Sequence, residues 1–227
     1  MARFFVTVAF AALALPTAGL LRAADAPSTV LELRASTPFA PLQDWSGAPP
    51  RFVLMDDGQV FVGGSKELFT GRLEKEEAKV FENLADAVRK MPGLAAVVSF
   101  AEGEEPSFHL RGGKGKPLDV RATGDPAKAG PALRPLADLL DKLLRFDHPS
   151  LRPMAPTSFA LQAREGVRRG GCRIWTLQAT PREAAAGTTV PASALETWVA
   201  GVYPTSVCVG DKTYEVVLRP QLPGDRP

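Results

Sequence analysis

Two cysteines and two histidines are all that the 227 residues contain, and a closed zinc site drawing on Cys and His takes four ligands. The chain also lacks a charge surplus, with 27 Lys+Arg against 25 Asp+Glu. Arg3 and Arg22 account for that difference, so residues 24–227 balance at 25 of each sign. Such a balance excludes a general nucleic-acid binder or an anionic-membrane binder, both of which need clustered Lys and Arg. Beyond the N-terminal stretch there is no apolar run long enough to cross a bilayer, which takes about 20 residues. No fixed-period repeat occurs, which excludes solenoids and propellers.

Motifs for catalysis are missing as well. Gly63-Gly64-Ser65-Lys66-Glu67 approaches a nucleophile elbow but places Glu67 where the last glycine belongs, and no Ser is followed three residues on by Lys. Asp56-Asp57-Gly58 begins like a calcium loop, yet its third and fifth positions are Gly58 and Val60, neither with a side-chain oxygen. Gly112-Gly113-Lys114-Gly115-Lys116 has a phosphate cradle's residues without its spacing, and Pro117 follows instead of a helix. Glu102, Glu104 and Glu105 read as a solvated acidic turn. His109 and His148 have no nucleophile and carboxylate placed beside them by sequence, so both read as structural. No catalytic residue, cofactor or metal is expected.

What is present begins with an export signal. Arg3 precedes an apolar stretch over Phe4–Leu15 broken only by Thr7, then Pro16, Gly19 and the small residues Ala23, Ala24 and Ala26. Cleavage after Ala23 would leave a secreted or periplasmic protein without a membrane span. In an oxidising compartment a lone pair of cysteines is most simply a disulfide, here Cys172–Cys208. The sharpest polar feature is Arg164, Arg168, Arg169 and Arg173, four side chains suited to bidentate contact with an anion or a partner. Trp175, Trp198 and Tyr214 read as core anchors in the same half.

The pattern along the chain predicts an α+β protein: antiparallel sheets built from hairpins, three packed helices and one disulfide. Residues 24–50, with five prolines (27, 38, 41, 49 and 50), read as an extended leader anchored by Trp45. Regular structure is expected from Arg51, in a domain over 51–223 with lobes 51–147 and 157–223 and a tail at 224–227. Phe52–Met55 and Gln59–Val62 flank an Asp-Gly turn, a strong hairpin signal. Phe81, Leu84, Ala85 and Val88 set the stripe of a helix over Glu74–Lys90. Strands follow at Ala96–Phe100, Ser107–Arg111 and Leu118–Ala122, then a helix over about Pro131–Phe146. The second lobe predicts strands at Ser158–Ala163 and Arg173–Leu177, a helix at Pro191–Val202, and a closing hairpin Ser206–Val209/Thr213–Leu218. A two-residue turn there puts Val207 and Val209 on one face with Tyr214, Val216 and Leu218, and Cys208 on the other.

Arg51-Phe52-Val53-Leu54-Met55-Asp56-Asp57-Gly58-Gln59-Val60 and Tyr214-Glu215-Val216-Val217-Leu218-Arg219-Pro220-Gln221-Leu222-Pro223 resemble the ends of a group of uncharacterised secreted bacterial proteins. Those proteins open on a strand and an Asp-Gly turn and close on a Tyr-x-x-x-x-Arg-Pro-x-Leu-Pro tail after a Cys-bearing segment. Many look like lipoproteins, whereas this chain has no lipobox cysteine. The resemblance spans about Arg51–Pro223 and implies architecture and compartment, without an activity. The functional expectation is a non-enzymatic binding or structural module contacting a protein or envelope component. The alternatives are a small hydrolase with a noncontiguous His-based site and an inhibitor-like module presenting the loop closed by the cysteines.

Overall fold

The computed structural model describes residues 27–36, 50–63, 68–100, 107–113, 116–166, 173–195 and 205–222. Its first element corrects the expected leader over 24–50: Thr29–Ser36 is a strand, β1. Leu31 and Leu33 are buried in the main core, while Glu32 and Arg34 alternate with them on the opposite face. That period of two lies between Pro27 and Pro38, and the surrounding prolines mask it. Far from lying on the domain, β1 pairs on both sides, with β2 (Pro50–Met55) and β6 (Ser107–Gly112).

Around β1 an eight-stranded sheet is assembled with β3 (Gln59–Gly63), β4 (Leu68–Arg72), β5 (Val97–Ser99), β7 (Leu118–Thr123) and β8 (Arg152–Pro153). The order is β5-β7-β6-β1-β2-β3-β4-β8, antiparallel except for the β5–β7 pair. β4 was not expected from sequence. The Asp-Gly hairpin joins β2 to β3 as expected, in register Phe52↔Val62 and Leu54↔Val60. Gly58 is required there twice over: its φ is +84°, and a Cβ would stand 2.8 Å from the Leu73 carbonyl oxygen.

Two helices cover one face. α1 (Lys75–Arg89) presents Phe81, Ala85 and Val88, and α2 (Arg134–Leu144) presents Leu136, Ala137, Leu139, Leu140 and Leu143. They meet Leu31, Leu33, Phe52, Leu54, Val60, Val62, Phe108, Leu110, Leu118 and Val120 in a single core. Arg51 fastens this layer, donating from Nη1 to Gly63 O (3.0 Å) and from Nη2 to Leu144 O (2.7 Å), an end carbonyl of α2. Val53, Met55, Phe61, Leu68 and Leu222 form a smaller cluster on the reverse face. Phe52–Met55 is therefore covered on both sides, as its continuous apolar run implies.

The second sheet has its own core. Its strands β9 (Ser158–Glu165), β10 (Arg173–Ile174), β11 (Thr188–Pro191), β12 (Thr205–Val209) and β13 (Lys212–Pro220) run in the order β10-β12-β13-β9-β11. Phe159, Leu161, Ala163, Val207, Val216 and Leu218 line one face, under Ala184 of α3 (Pro181–Ala185). The Val209↔Lys212 register leaves a two-residue turn, and Cys208 pairs with Thr213 on the face opposite Val207 and Val216, the parity expected from sequence. The third helix, however, is not the one expected. Pro191 ends a strand, Ala192–Leu195 make a 3-10 turn, and the rest of Pro191–Val202 lies outside the described residues. Arg173–Leu177 likewise shortens to the two residues of β10.

Candidate functional site

The arginine segment begins where β9 and β13 end side by side. Arg164 is directly opposite Glu215, and its Nε and Nη2 reach the same carboxylate oxygen, Oε2, at 2.8 and 2.7 Å. This guanidinium is engaged by its own sheet, which removes it from an anion-reading cluster. Gly166 keeps the approach open, since a Cβ there would meet Glu215 Cγ at 2.9 Å. Beside it Lys212 Nζ donates to Glu165 Oε2 at 3.1 Å, and that carboxylate raises the lysine's pKa above its ordinary value. Arg168 and Arg169 lie outside the described residues. Arg173 is exposed on β10, at the far edge of the sheet, and is followed by Ile174 with 79% of its surface exposed.

Trp175 comes next and turns inward. Its Nε1 donates to Leu177 O (3.0 Å) and Ala179 O (2.8 Å), and its ring meets Tyr214 edge-on at 6.4 Å. Both side chains pack on the second core, as expected for anchors. Between the cysteines, the described residues 173–195 also send Leu177, Ala184, Val190 and Leu195 into that core.

The histidines each find a carboxylate. His109 Nε2 lies 2.8 Å from Asp119 Oδ1, on the face of β6 opposite Phe108 and Leu110. A polar stripe runs along this face: Glu32 pairs with Arg34 and stands 3.8 Å from Arg111, with His109 in register opposite Arg34. Sequence reasoning passed over Glu32 and Arg34 because it placed them in the leader.

His148 is the more chemically suggestive. Its Nδ1 is 2.7 Å from Ser150 Oγ and its Nε2 is 3.3 Å from Glu77 Oε1, a serine–histidine–carboxylate series. The serine's other contacts decide its role. Ser150 Oγ accepts from Arg72 N–H (3.0 Å) and donates to Arg72 O (3.0 Å), continuing the edge of β4 with a side chain where a strand would otherwise pair. Gly71 permits the approach, because a Cβ there would lie 2.6 Å from that oxygen. The one hydroxyl proton faces both the Arg72 carbonyl (3.0 Å) and His148 Nδ1 (2.7 Å), and the two Arg72 contacts hold the oxygen against β4 as a structural group. Ser150→Ala should therefore cost about 1 kcal/mol of stability, the net worth of one such hydrogen bond. Urea denaturation reads this directly, and an unchanged midpoint would contradict the edge-capping role.

Glu77 titrates below the ordinary glutamate range, first because Glu74 N–H donates to it and second because of His148. Asp56 is lowered by the Ser28 hydroxyl, and Glu183 by Thr180 N–H and its hydroxyl. Depressed folded-state pKa values give stability that is full above the unfolded carboxylate range and lost as pH falls from there through the lower folded-state values. The urea midpoint should hold between neutral pH and about pH 5 and drop below about pH 4. Glu77→Gln should flatten the drop; a midpoint that rises on acidification would refute the assignment.

Among the described residues no three His, Cys, Asp or Glu side chains converge on a metal-sized site, and no helix is long and apolar enough to cross a membrane. No family model, curated protein or solved structure matches the chain.

Proposed function

We propose that the chain works outside the cytoplasm as a binding module, closed by a Cys172–Cys208 disulfide, that contacts a protein or envelope component along the β10 edge. Ile174 carries this reading. An isoleucine 79% exposed on the two-residue strand that ends the order of the second sheet, next to the exposed Arg173, presents apolar surface at a sheet margin. An extended partner segment adding to such an edge would gain main-chain hydrogen bonds, with a side-chain pocket for Ile174 supplying specificity. The disulfide is supported by register: Arg173, which follows Cys172, pairs with Val207, which precedes Cys208. A secretory compartment, inferred from the N-terminal segment, is where such a bond persists.

A second reading, a hydrolase built on His148, draws on the Ser150–His148–Glu77 distances. It is weakened by the Arg72 contacts that occupy the serine. One experiment separates the two readings. The mature protein carrying a photocrosslinker at position 174 is exposed to its own culture medium and envelope fraction, beside an Ile174→Glu variant in pull-down and an ester panel. A partner crosslinked at 174 and lost in Ile174→Glu, with circular dichroism unchanged, supports the module. Equal capture by both proteins sinks the β10 edge, and ester hydrolysis abolished by Ser150→Ala would establish the second reading instead.

A further inference from the structure

Between the end of α1 and the β6–β7 turn lies a groove of about 330 Å³, on the first sheet and away from β10. Its walls combine Met91, Leu94, Pro117 and Leu118 with the cationic side chains of Arg89 and Lys116. Arg89 is unusual among them: its side chain is only 9% exposed. Nη1 donates to Asp86 Oδ1 at 2.7 Å, and Nη2 lies so close over Gly112 that a Cβ there would be 2.7 Å away. Nε is the one buried side-chain polar atom among the described residues without a hydrogen-bond partner. Burying a charged donor without an acceptor is unfavourable, and such a group in a native fold calls for a missing acceptor. Asp86, the carboxylate paired with this guanidinium among the described residues, is itself 54% exposed.

We propose that the groove binds a small organic carboxylate with an apolar body, its charge held by Arg89 and Lys116 and its hydrocarbon by Met91, Leu94, Pro117 and Leu118. The volume is at the lower end of ligand pockets, about 300–1,000 Å³, which sets the body at a handful of carbons. With Nη1 given to Asp86, the Nε–Nη2 edge is the pair of parallel donors left on the guanidinium, which suits a carboxylate better than a spherical anion. Asp119, also on the wall, faces His109 at 2.8 Å, which lessens its repulsion of an incoming anion. Gly112 is what lets the arginine lie against β6 beneath the groove. This site is independent of the β10 edge, and either can fail without the other.

The test is a titration of the ¹⁵N-labelled mature protein with hexanoate, following the Arg89 Nε–H signal and the amides of Leu94, Leu118 and Val120. Saturable shifts with a Kd of about 1 mM are expected, as befits a ligand of few atoms. Hexanamide, equal in shape and uncharged, should bind about tenfold more weakly, the worth of one charge-assisted hydrogen bond. Lys116→Gln, at an exposed position that leaves the fold intact, should weaken hexanoate binding by about threefold. Acetyl-Gly-Leu with a free C-terminus, set against its amide, separates the two sources of the same chemistry. Binding of the acid alone would assign the groove to peptide termini as well as free acids. Shifts that fail to saturate, equal affinity for hexanamide, or equal shifts from chloride would overturn the proposal.

Discussion

Phe52→Ala should cost about 3–5 kcal/mol, the range for emptying a buried aromatic site. Phe52 is wholly buried, and its ring meets those of Phe81 at 5.4 Å and Phe146 at 5.0 Å, with the latter pair 5.6 Å apart. One side chain thereby joins β2, α1 and the residues after α2. The three rings are tilted or edge-on to one another, an arrangement worth more than the area it buries. A loss of that size is a large part of a domain stability of about 5–15 kcal/mol. Phe52→Leu should cost much less, because it leaves a smaller void. Urea denaturation of both variants gives the comparison. Phe52→Ala losing under about 1 kcal/mol would mean that the site collapses around the void, so that this trio does not organise the layer.

How far the fold could be read from sequence follows the strength of local signals. The β2–β3 hairpin was legible because an Asp-Gly turn and two apolar runs agree. α1 was legible because a stripe at helical spacing coincides with acidic residues at its start and Pro92-Gly93 beyond its end. β1 was hidden by proline content, although Leu31 and Leu33 alternate with Glu32 and Arg34 as a half-buried strand should. β4 was hidden because Leu68-Phe69-Thr70-Gly71-Arg72 has an interior glycine, needed because Ser150 and Leu151 pack against it from about 80 residues away in the chain. Pro191–Val202 departs from the expected helix at its start: its spacing suits a helix, yet Pro191 is claimed by pairing with Ser158 and Ala192–Leu195 form a 3-10 turn.

Site residues were less legible than elements, for the same reason. The arginine cluster is plain in sequence, but that Arg164 is neutralised by Glu215 depends on the β9–β13 register. His148 and Ser150 are near neighbours in the chain, whereas Arg72 and Glu77, which define what they do, come from 70 or more residues upstream. Arg89 reads naturally as a cation favouring the end of a helix. Its position four residues after Ala85, at the margin of the apolar stripe, is the one sequence feature that marks it for burial. Polar residues at the border of a helical stripe merit the same scrutiny as clustered charges, because tertiary packing can bury and orphan them.

Cys208→Ser should cost about 3–4 kcal/mol through the loss of the proposed bond to Cys172, which encloses 35 residues (173–207) and so restricts the unfolded chain. The effect should be concentrated in the second sheet. Among the described residues β10 pairs with β12, through Arg173↔Val207 and Ile174↔Cys208, and Trp175 N–H donates to Cys208 O at 3.2 Å just beyond them. Without the bond, amide protection should fall first in β10 and β12, while β1, β2 and β6 keep theirs, because their core is built from separate residues. The first sheet thus serves as an internal reference within the same molecule. Reduction of the wild type should reproduce the variant's hydrogen-exchange profile, and adding reductant to Cys208→Ser should change nothing further. If Cys208→Ser and wild type unfold alike under oxidising conditions, or if both thiols of the native protein react with iodoacetamide, the cysteines are unpaired. β10 would then lack the proposed covalent tie, and its role as a firm edge for a partner strand would lose that physical basis.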